Sequence, residues 1–382
     1  MKILQTNKAY YPKVGGIETT ITTLSEGLVK DYNLSVNVLV CNSKPSSKTT
    51  EKLINNVNVK YLANYGSITS LPISPGYIKS LLSQSGDILH IHEPFPWADL
   101  SLILFPRIRK NFSKIVVSWH SDIVRQKWVL FFYGKYIHKF LQIADKIIVS
   151  NPALIVNSDF LPMYKEKCEV IPIGPNLNWV NSNFESNEIY RKIKSENNIP
   201  MVLFVGRLVY YKGIQYLIDA MNLVADTSLV IIGSGPLKNQ LSKRIKDLGL
   251  NSRIKIIPEV DEKKLHSYYK ACDLLVLPSI LKSETYGIVQ IEAMACGKPV
   301  VCTNLGTGTD FINQDGQTGI VVPPRNSKAL ADAIAKLLKD TELRSMLGNK
   351  ARDRVLSEFN SNKMVQRTFE VYKNLLIDEN KQ

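Results

Sequence analysis

The feature that most constrains this fold is a rhythm: short, wholly apolar runs alternate with amphipathic stretches along nearly the entire chain. "MKILQT", "SVNVLV", "DILHIH", "KIVVSWH", "DKIIVSN" and "CEVIPIG" form one series, with a helix expected from Ile17 to about Lys30 after a Gly-Gly turn. "MVLFVGRL", "SLVIIGSG", "RIKIIP", "DLLVLPS", "KPVVCTN" and "GIVVPP" form a second. Here helices are expected over 213–225, 236–248 and 262–271, and "SKALADAIAKLLKD" is amphipathic. Strands that are apolar throughout belong to parallel sheets covered on both faces. Between the two series, residues 176–200 turn polar and Asn/Ser-rich, which reads as a linker. A chain of 382 residues is long for one core. The expectation is two doubly wound α/β domains, 1–175 and 201–356, facing a cleft, with ligands off the carboxyl ends of the strands.

Polar residues cluster at those strand ends. After the first strand, Gly15-Gly16 precedes Ile17-Glu18 at a helix start. Glycines admit a ligand close to the backbone and a helix N-terminus favours an anion, although a plain tight turn fits as well. His120 and Asp122 follow "KIVVSW", where a lone histidine is most often a satisfied polar residue. Past the linker, Arg207 and Lys212 stand five apart just after a strand, beside Gly206. Each reads alone as an exposed cation; together they suit a diphosphate, Arg as a fork and Lys as a point charge. Gly233 and Gly235 make another glycine turn.

Residues 283–300, "SETYGIVQIEAMACGKPV", carry Glu284 and Glu292 among apolar neighbours. Glu284 falls on the loop after "DLLVLPS", and Glu292 about one turn inside a helix that begins near Gly287. Each carboxylate can accept two hydrogen bonds from paired hydroxyls, such as those of a sugar or a ribose. The amides of Tyr286, Gly287 and Ile288 can meet phosphate oxygens between them. One ordinary helix glutamate and one exposed glutamate would give the same spacing.

Asp-x-Asp is absent, as are metal-ligand spacing and the GxxxxGK[ST] phosphate loop, so neither a metal nor an ATPase is expected. Five scattered cysteines without CxxC fit a reducing compartment. With no signal peptide and no apolar run of membrane-spanning length, the expectation is a cytoplasmic protein. Half of the +14 net charge sits in residues 107–146, where nine Lys/Arg face only Asp122 and Asp145. The stretch "RQKWVLFFYGKYIHKFLQ" within it reads as a core helix with cations toward water, or as a surface helix that docks on anionic lipid. No recognised nucleic-acid motif accompanies the charge.

Taken together, these motifs resemble the retaining, metal-independent GT-B glycosyltransferases called family 4, over nearly the full chain. Glu284 and Glu292 match the family's EX7E motif. The resemblance implies Glu284 on the donor sugar's hydroxyls, Glu292 on the ribose, and Arg207 with Lys212 on the diphosphate. It also implies the Gly16 amide at the phosphate and His120 beside the sugar. It implies two Rossmann-like domains and a last helix, about 357–377 within residues 357–382, crossing back onto the first domain. "WHSDIVRQK", "LKSETYGIVQIE" and "NLGTGTDFINQ" look like bacterial O-antigen mannosyltransferases. That implies GDP-mannose or another hexosyl donor, a lipid-linked saccharide acceptor, and work at the inner face of the cytoplasmic membrane. Relatives often carry GG-x-x-E near residue 306, where this chain has Gly306-Thr307-Gly308-Thr309-Asp310. A UDP-hexose-dependent transferase, a nucleotide-sugar epimerase and a non-catalytic sugar-nucleotide-binding subunit are the rival readings.

Overall fold

A computed structural model of the chain describes residues 1–13, 15–68, 71–122, 127–182, 187–196 and 198–379, without the side chains of 127–133, 135, 378 and 379. The chain forms two compact units. One comprises Met1–Pro175 with Ser361–Gln382, the other Asn176–Asn360.

The first unit has strands β1 (Lys2–Thr6), β2 (Ser35–Cys41), β3 (Thr50–Ile54) and β4 (Val57–Leu62), and a small separate hairpin of β5 (Ser67–Ile68) and β6 (Leu71–Pro72). Then come β7 (Gly86–Glu93), β8 (Phe112–Trp119), β9 (Lys146–Val149) and β10 (Cys168–Val170). The main sheet runs β10-β9-β8-β7-β1-β2-β4-β3. Successive residues of its strands enter opposite cores. Ile3, Val38, Ile88 and Val116 pack on one face, near helix Gly16–Tyr32 and helix Ser361–Glu379. Leu4, Leu39, Leu89 and Val117 pack on the other, with Ile137, Phe140 and Leu141 of helix Lys127–Ile143. Each such side chain contributes about 1.5–3 kcal/mol by leaving water. Helix Ser361–Glu379 is part of this unit: Phe369 stacks on Tyr32 at 3.9 Å, and Tyr372 is fully buried.

Within the main sheet one strand departs from the parallel pattern expected from sequence. β3 runs antiparallel to β4, joined by Asn55 and Asn56, both with positive φ. Asparagine tolerates that conformation better than other side chains. The residues of β3 are largely exposed, so no apolar run marks the strand.

The second unit is a wholly parallel sheet of β11 (Met201–Val205), β12 (Ser228–Ile232), β13 (Ile254–Ile257), β14 (Leu274–Leu277), β15 (Val300–Thr303) and β16 (Gly319–Val322). Its order is β13-β12-β11-β14-β15-β16. The polar stretch read as a linker belongs to this unit and is structured. Asn178–Asn181 is a 3-10 turn, and helix Glu188–Ser195 is capped by Asn187 and buries Ile193. A short helix with a single buried face is hidden by polar composition; residues 183–186 and 197 lie outside the description. Helix Thr341–Glu358 is a further element that was not read from the sequence. It buries Leu347, Ala351 and Val355, and Arg354 hydrogen-bonds the carbonyls of Phe311 and Ile312. No helix among the described residues is long and apolar enough to cross a membrane.

Candidate functional site

In a doubly wound sheet the crevice for a ligand opens where neighbouring strands have crossovers leading in opposite directions. In the second unit that point lies between β11 and β14, because β12 follows β11 on one side and β15 follows β14 on the other. The loops that leave these two strands carry Gly206–Lys212 and Ser279–Gly287.

Those loops are tied together. The amide of Ile280 donates to the Tyr211 carbonyl at 2.8 Å. Gly213 has φ +65°, and a Cβ there would stand 2.1 Å from the Pro278 carbonyl oxygen. Only glycine meets both demands. The approach brings Lys212 Nζ to 2.5 Å from Glu284 Oε2, both side chains about nine-tenths buried. The same oxygen accepts from Ser279 Oγ at 3.0 Å. Lys212 also lies beside Gly206, its Nζ 3.5 Å from where a Cβ would be. Arg207 is exposed at the same turn.

The Glu284 loop is fixed from its far side. Thr307 Oγ1 donates to the Glu284 carbonyl at 2.8 Å, and the Gly308 amide donates to Thr285 O at 2.9 Å. Asp310 closes this turn: it accepts from the amides of Leu305 and Gly306 and from Thr309 Oγ1. Gly287 caps helix Ile288–Ala295, Tyr286 is buried and Ile288 half-buried. The amides opening that helix have no partner within it and carry the positive end of its dipole.

Glu292 lies one turn inside the same helix and is held by Tyr269, whose hydroxyl donates to Oε2 at 2.6 Å. Burial pushes the Glu292 carboxyl up to about 7, while the Tyr269 hydroxyl pulls the other way. Beyond Tyr269, Trp179 stacks on His266 at 3.8 Å.

In the first unit the corresponding switch point lies between β1 and β7. Gly15 caps helix Gly16–Tyr32, and Glu18 folds back over it, with Oε2 2.4 Å from where a Gly15 Cβ would be. Lys13 Nζ approaches Glu18 Oε1 at 3.7 Å. A buried carboxylate of the chain itself thus sits at this helix end; Val14 lies outside the described residues.

His120 follows β8 and is 9% exposed, its Nε2 3.2 Å from His92 Nδ1. His92 Nε2 lies 3.1 Å from Gln5 Oε1. His90 joins Ser118 Oγ at 2.8 Å and Tyr372 Oη at 2.5 Å. Burial drives all three imidazoles toward the neutral form: His90 to about 3, His120 to about 4 with Lys8 adding to the effect, and His92 well below its usual range. Asp122 is a structural anchor, accepting from Trp119 Nε1, Ser158 Oγ and the Asp159 amide.

The basic segment 107–146 is mixed. Arg109 is engaged with Asp145 and two carbonyls, and Lys146 pairs with Glu169. Arg107, Lys110 and Lys139 are exposed, and Phe140 is in the core. Arg125 and the side chains of Lys127 and Lys135 lie outside the described residues.

Sequence reasoning missed Gln5, His92, Tyr269, Ser279 and Thr307. The one available signal was His90-x-His92, a spacing that puts both rings on one face of β7.

Comparison with known proteins places these features in context. Residues 14–179 match the family described as Glycosyltransferase Family 4, and residues 185–354 match Glycosyl transferases group 1. The chain is 32% identical over 379 residues to O-antigen chain mannosyltransferase C of Escherichia coli, covering 98% of this chain and 99% of that one. It is 31% identical over 355 residues to D-rhamnosyltransferase WbpZ of Pseudomonas aeruginosa, covering 93% and 91%. Among solved structures, sucrose-phosphate synthase from Thermosynechococcus elongatus superposes with a TM-score of 0.79 at 22% identity, covering 99% of this chain and 100% of that one. Anabaena Alr3699/HepE in complex with UDP also gives 0.79, at 20% identity over 98% and 100%.

Proposed function

The chain belongs to the family 4 glycosyltransferases and has the GT-B fold, and on that premise we propose that it moves a mannosyl or similar hexosyl unit from a nucleotide sugar, with GDP-mannose as the first candidate donor, onto a lipid-linked saccharide. The observation that carries this reading is the buried Lys212–Glu284 pair beside Arg207 at the switch point of the second unit. A site that keeps an ammonium and a carboxylate together out of water holds a ready partner for a phosphate and another for sugar hydroxyls. Arg207 and Lys212 would stabilise the charge that builds on the departing nucleoside diphosphate, the preorganised electrostatic kind of catalysis. With two cations in that role, the reaction needs no metal. Glu284 would hold the sugar, Glu292 the ribose, and the amides of 286–288 the phosphate oxygens. His120 and the Gly15-Gly16 turn are the first unit's candidates for contact with a donor. The transferase would retain anomeric configuration, as the family does.

Mannose stands first because one relative carries the name of an O-antigen chain mannosyltransferase; another carries that of a D-rhamnosyltransferase. HepE, by contrast, is a complex with UDP or UDP-glucose, so a uridine donor is the second reading. For the acceptor side, Leu104 and Phe105 are exposed beside the exposed Arg107 and Lys110, a combination suited to an anionic bilayer surface at the cytoplasmic face.

The test is the melting temperature without added metal against GDP-mannose, GDP, UDP-glucose and UDP. A ligand at about 100 times its Kd adds roughly 2.7 kcal/mol to the native state. The expected result is a rise of several degrees with the guanine ligands alone. A rise with the uridine ligands alone replaces mannose by a UDP-hexose, and no rise with any of them overturns the donor reading.

A further inference from the structure

We propose that Gln5 and His92 are positioning residues that hold His120 in one tautomer, with the ring proton on Nε2 and with Nδ1 presented as a bare acceptor for a hydroxyl of the ligand. This rests on the reading of His120 as a donor-facing residue. It follows from the order of contacts in a buried chain. With the Gln5 amide oriented so that Oε1, which only accepts, faces His92 at 3.1 Å and Nε2 is buried without a hydrogen-bond partner among the described residues, the ring proton of His92 lies on Nε2. A neutral imidazole carries one N–H, which leaves His92 Nδ1 as a lone pair. His120 Nε2, 3.2 Å away, must then be the donor. Nδ1 of His120 is left without a proton.

The surroundings keep the rings neutral and aligned. His90 and His92 are fully buried, and His90 packs on His92 with ring centroids 4.2 Å apart. His92 and His120 stack within 11° of parallel. Among the described residues, the hydrogen-bond partners of the three rings are amide, hydroxyl and imidazole groups, none of them a carboxylate. A proton added to this cluster would be a buried charge without a counterion, which is costly. The strands set the chain's geometry: Gln5 on β1 pairs with His90 on β7, and His92 pairs with Ser118 on β8, two residues before His120. A ligand hydroxyl facing Nδ1 would therefore have to donate, and a group that can only accept would be rejected.

The test combines histidine nitrogen NMR with two variants of one residue. The chain has five histidines, so the two-bond nitrogen–proton patterns are resolvable. In the wild-type protein without ligand, His92 and His120 are expected neutral with the proton on Nε2. A His120 spectrum that is charged, or that has the proton on Nδ1, overturns the proposal. His92→Gln keeps one donor and one acceptor and should retain most of the activity; His92→Met, of similar size, keeps neither. Activity is read as release of GDP from GDP-mannose, or of UDP from UDP-glucose if only that donor raises the melting temperature, in water without acceptor. His92→Met should lose about tenfold to a hundredfold in kcat/KM, the scale of a misplaced catalytic contact. Equal rates for the two variants would reduce His92 to a packing role. His120→Ala separates the two levels: wild-type release by that variant overturns the reading of His120 itself, whereas the ligand-free spectra bear on the relay alone.

Discussion

At the residue scale, the second unit carries two carboxylates with different partners. Glu284 has a lysine and a serine on one oxygen, and among the described residues Glu292 has the Tyr269 hydroxyl alone, on its Oε2. The carboxyl of Glu292 is raised to about 7, so its folded form holds a proton that the unfolded chain has released above about 4.5. Its contribution to stability is therefore present at low pH and is lost as pH rises toward 7. Ribose hydroxyls, on the proposed reading, need the carboxylate. Nucleotide affinity should accordingly rise as pH passes about 7, and Glu292→Gln should flatten the profile. Tyr269→Phe removes the hydroxyl that favours the charged form, so calorimetric titrations should place its midpoint at higher pH. An unmoved midpoint would detach Glu292 from the profile. The Lys212–Glu284 pair makes a different prediction. Lys212→Met strands a buried carboxylate, which costs about 3–5 kcal/mol. Lys212→Met with Glu284→Gln should recover much of that in urea titrations and still fail to transfer; a single variant within about 1 kcal/mol of wild type would show that the pair is solvated.

Some of this was legible in the sequence and some was not, for a physical reason. Glu284, Glu292, Arg207 and Lys212 stand out because their short-range spacing matches a family motif, although that spacing alone also fits ordinary helix and surface residues. Tyr269 and Gln5 do not, because their partners lie 23 and 87 residues away and are set by sheet order rather than by local periodicity.

At the element scale, apolar strands were readable and exposed ones were not. β11 and β14 are buried throughout or nearly so and declared themselves, while β3 is held by an Asn-Asn turn and pairing to β4. The polar 176–200 stretch misled for the same reason, since one buried isoleucine does not make a visible pattern. The junction of β11 and β14 also yields a controlled experiment. Gly213 and Gly249 both have positive φ, +65° and +69°, but only Gly213 faces a close backbone, with nothing within 4 Å of a Cβ at Gly249. Gly249→Ala should cost about 1–2 kcal/mol for left-handed strain alone. Gly213→Ala must in addition push Pro278 away, so it should cost more and should weaken nucleotide binding by displacing Lys212 from Glu284. Equal urea midpoints for the two variants would mean that the junction yields without penalty.

At the scale of the whole molecule, the first unit is assembled from both ends of the described chain. Val365 packs over Gly27, where a Cβ would come within 2.4 Å of it, and Tyr372 reaches the His90 ring. A protein cut after Asn360 should keep its second unit resistant to protease while the first becomes sensitive, because one side of the sheet loses its cover. Equal resistance of both units in timed digests would make helix Ser361–Glu379 dispensable.

That arrangement also sets an order of events on the ribosome. Met1–Pro175 emerges first but lacks the helix that closes it, and Asn176–Asn360 must be made in between. At about 5–20 residues per second that interval lasts roughly 10–40 s. Through it His90 lacks its Tyr372 partner, and the apolar face that helix Ser361–Glu379 covers stays open to water after residues 1–175 have been read.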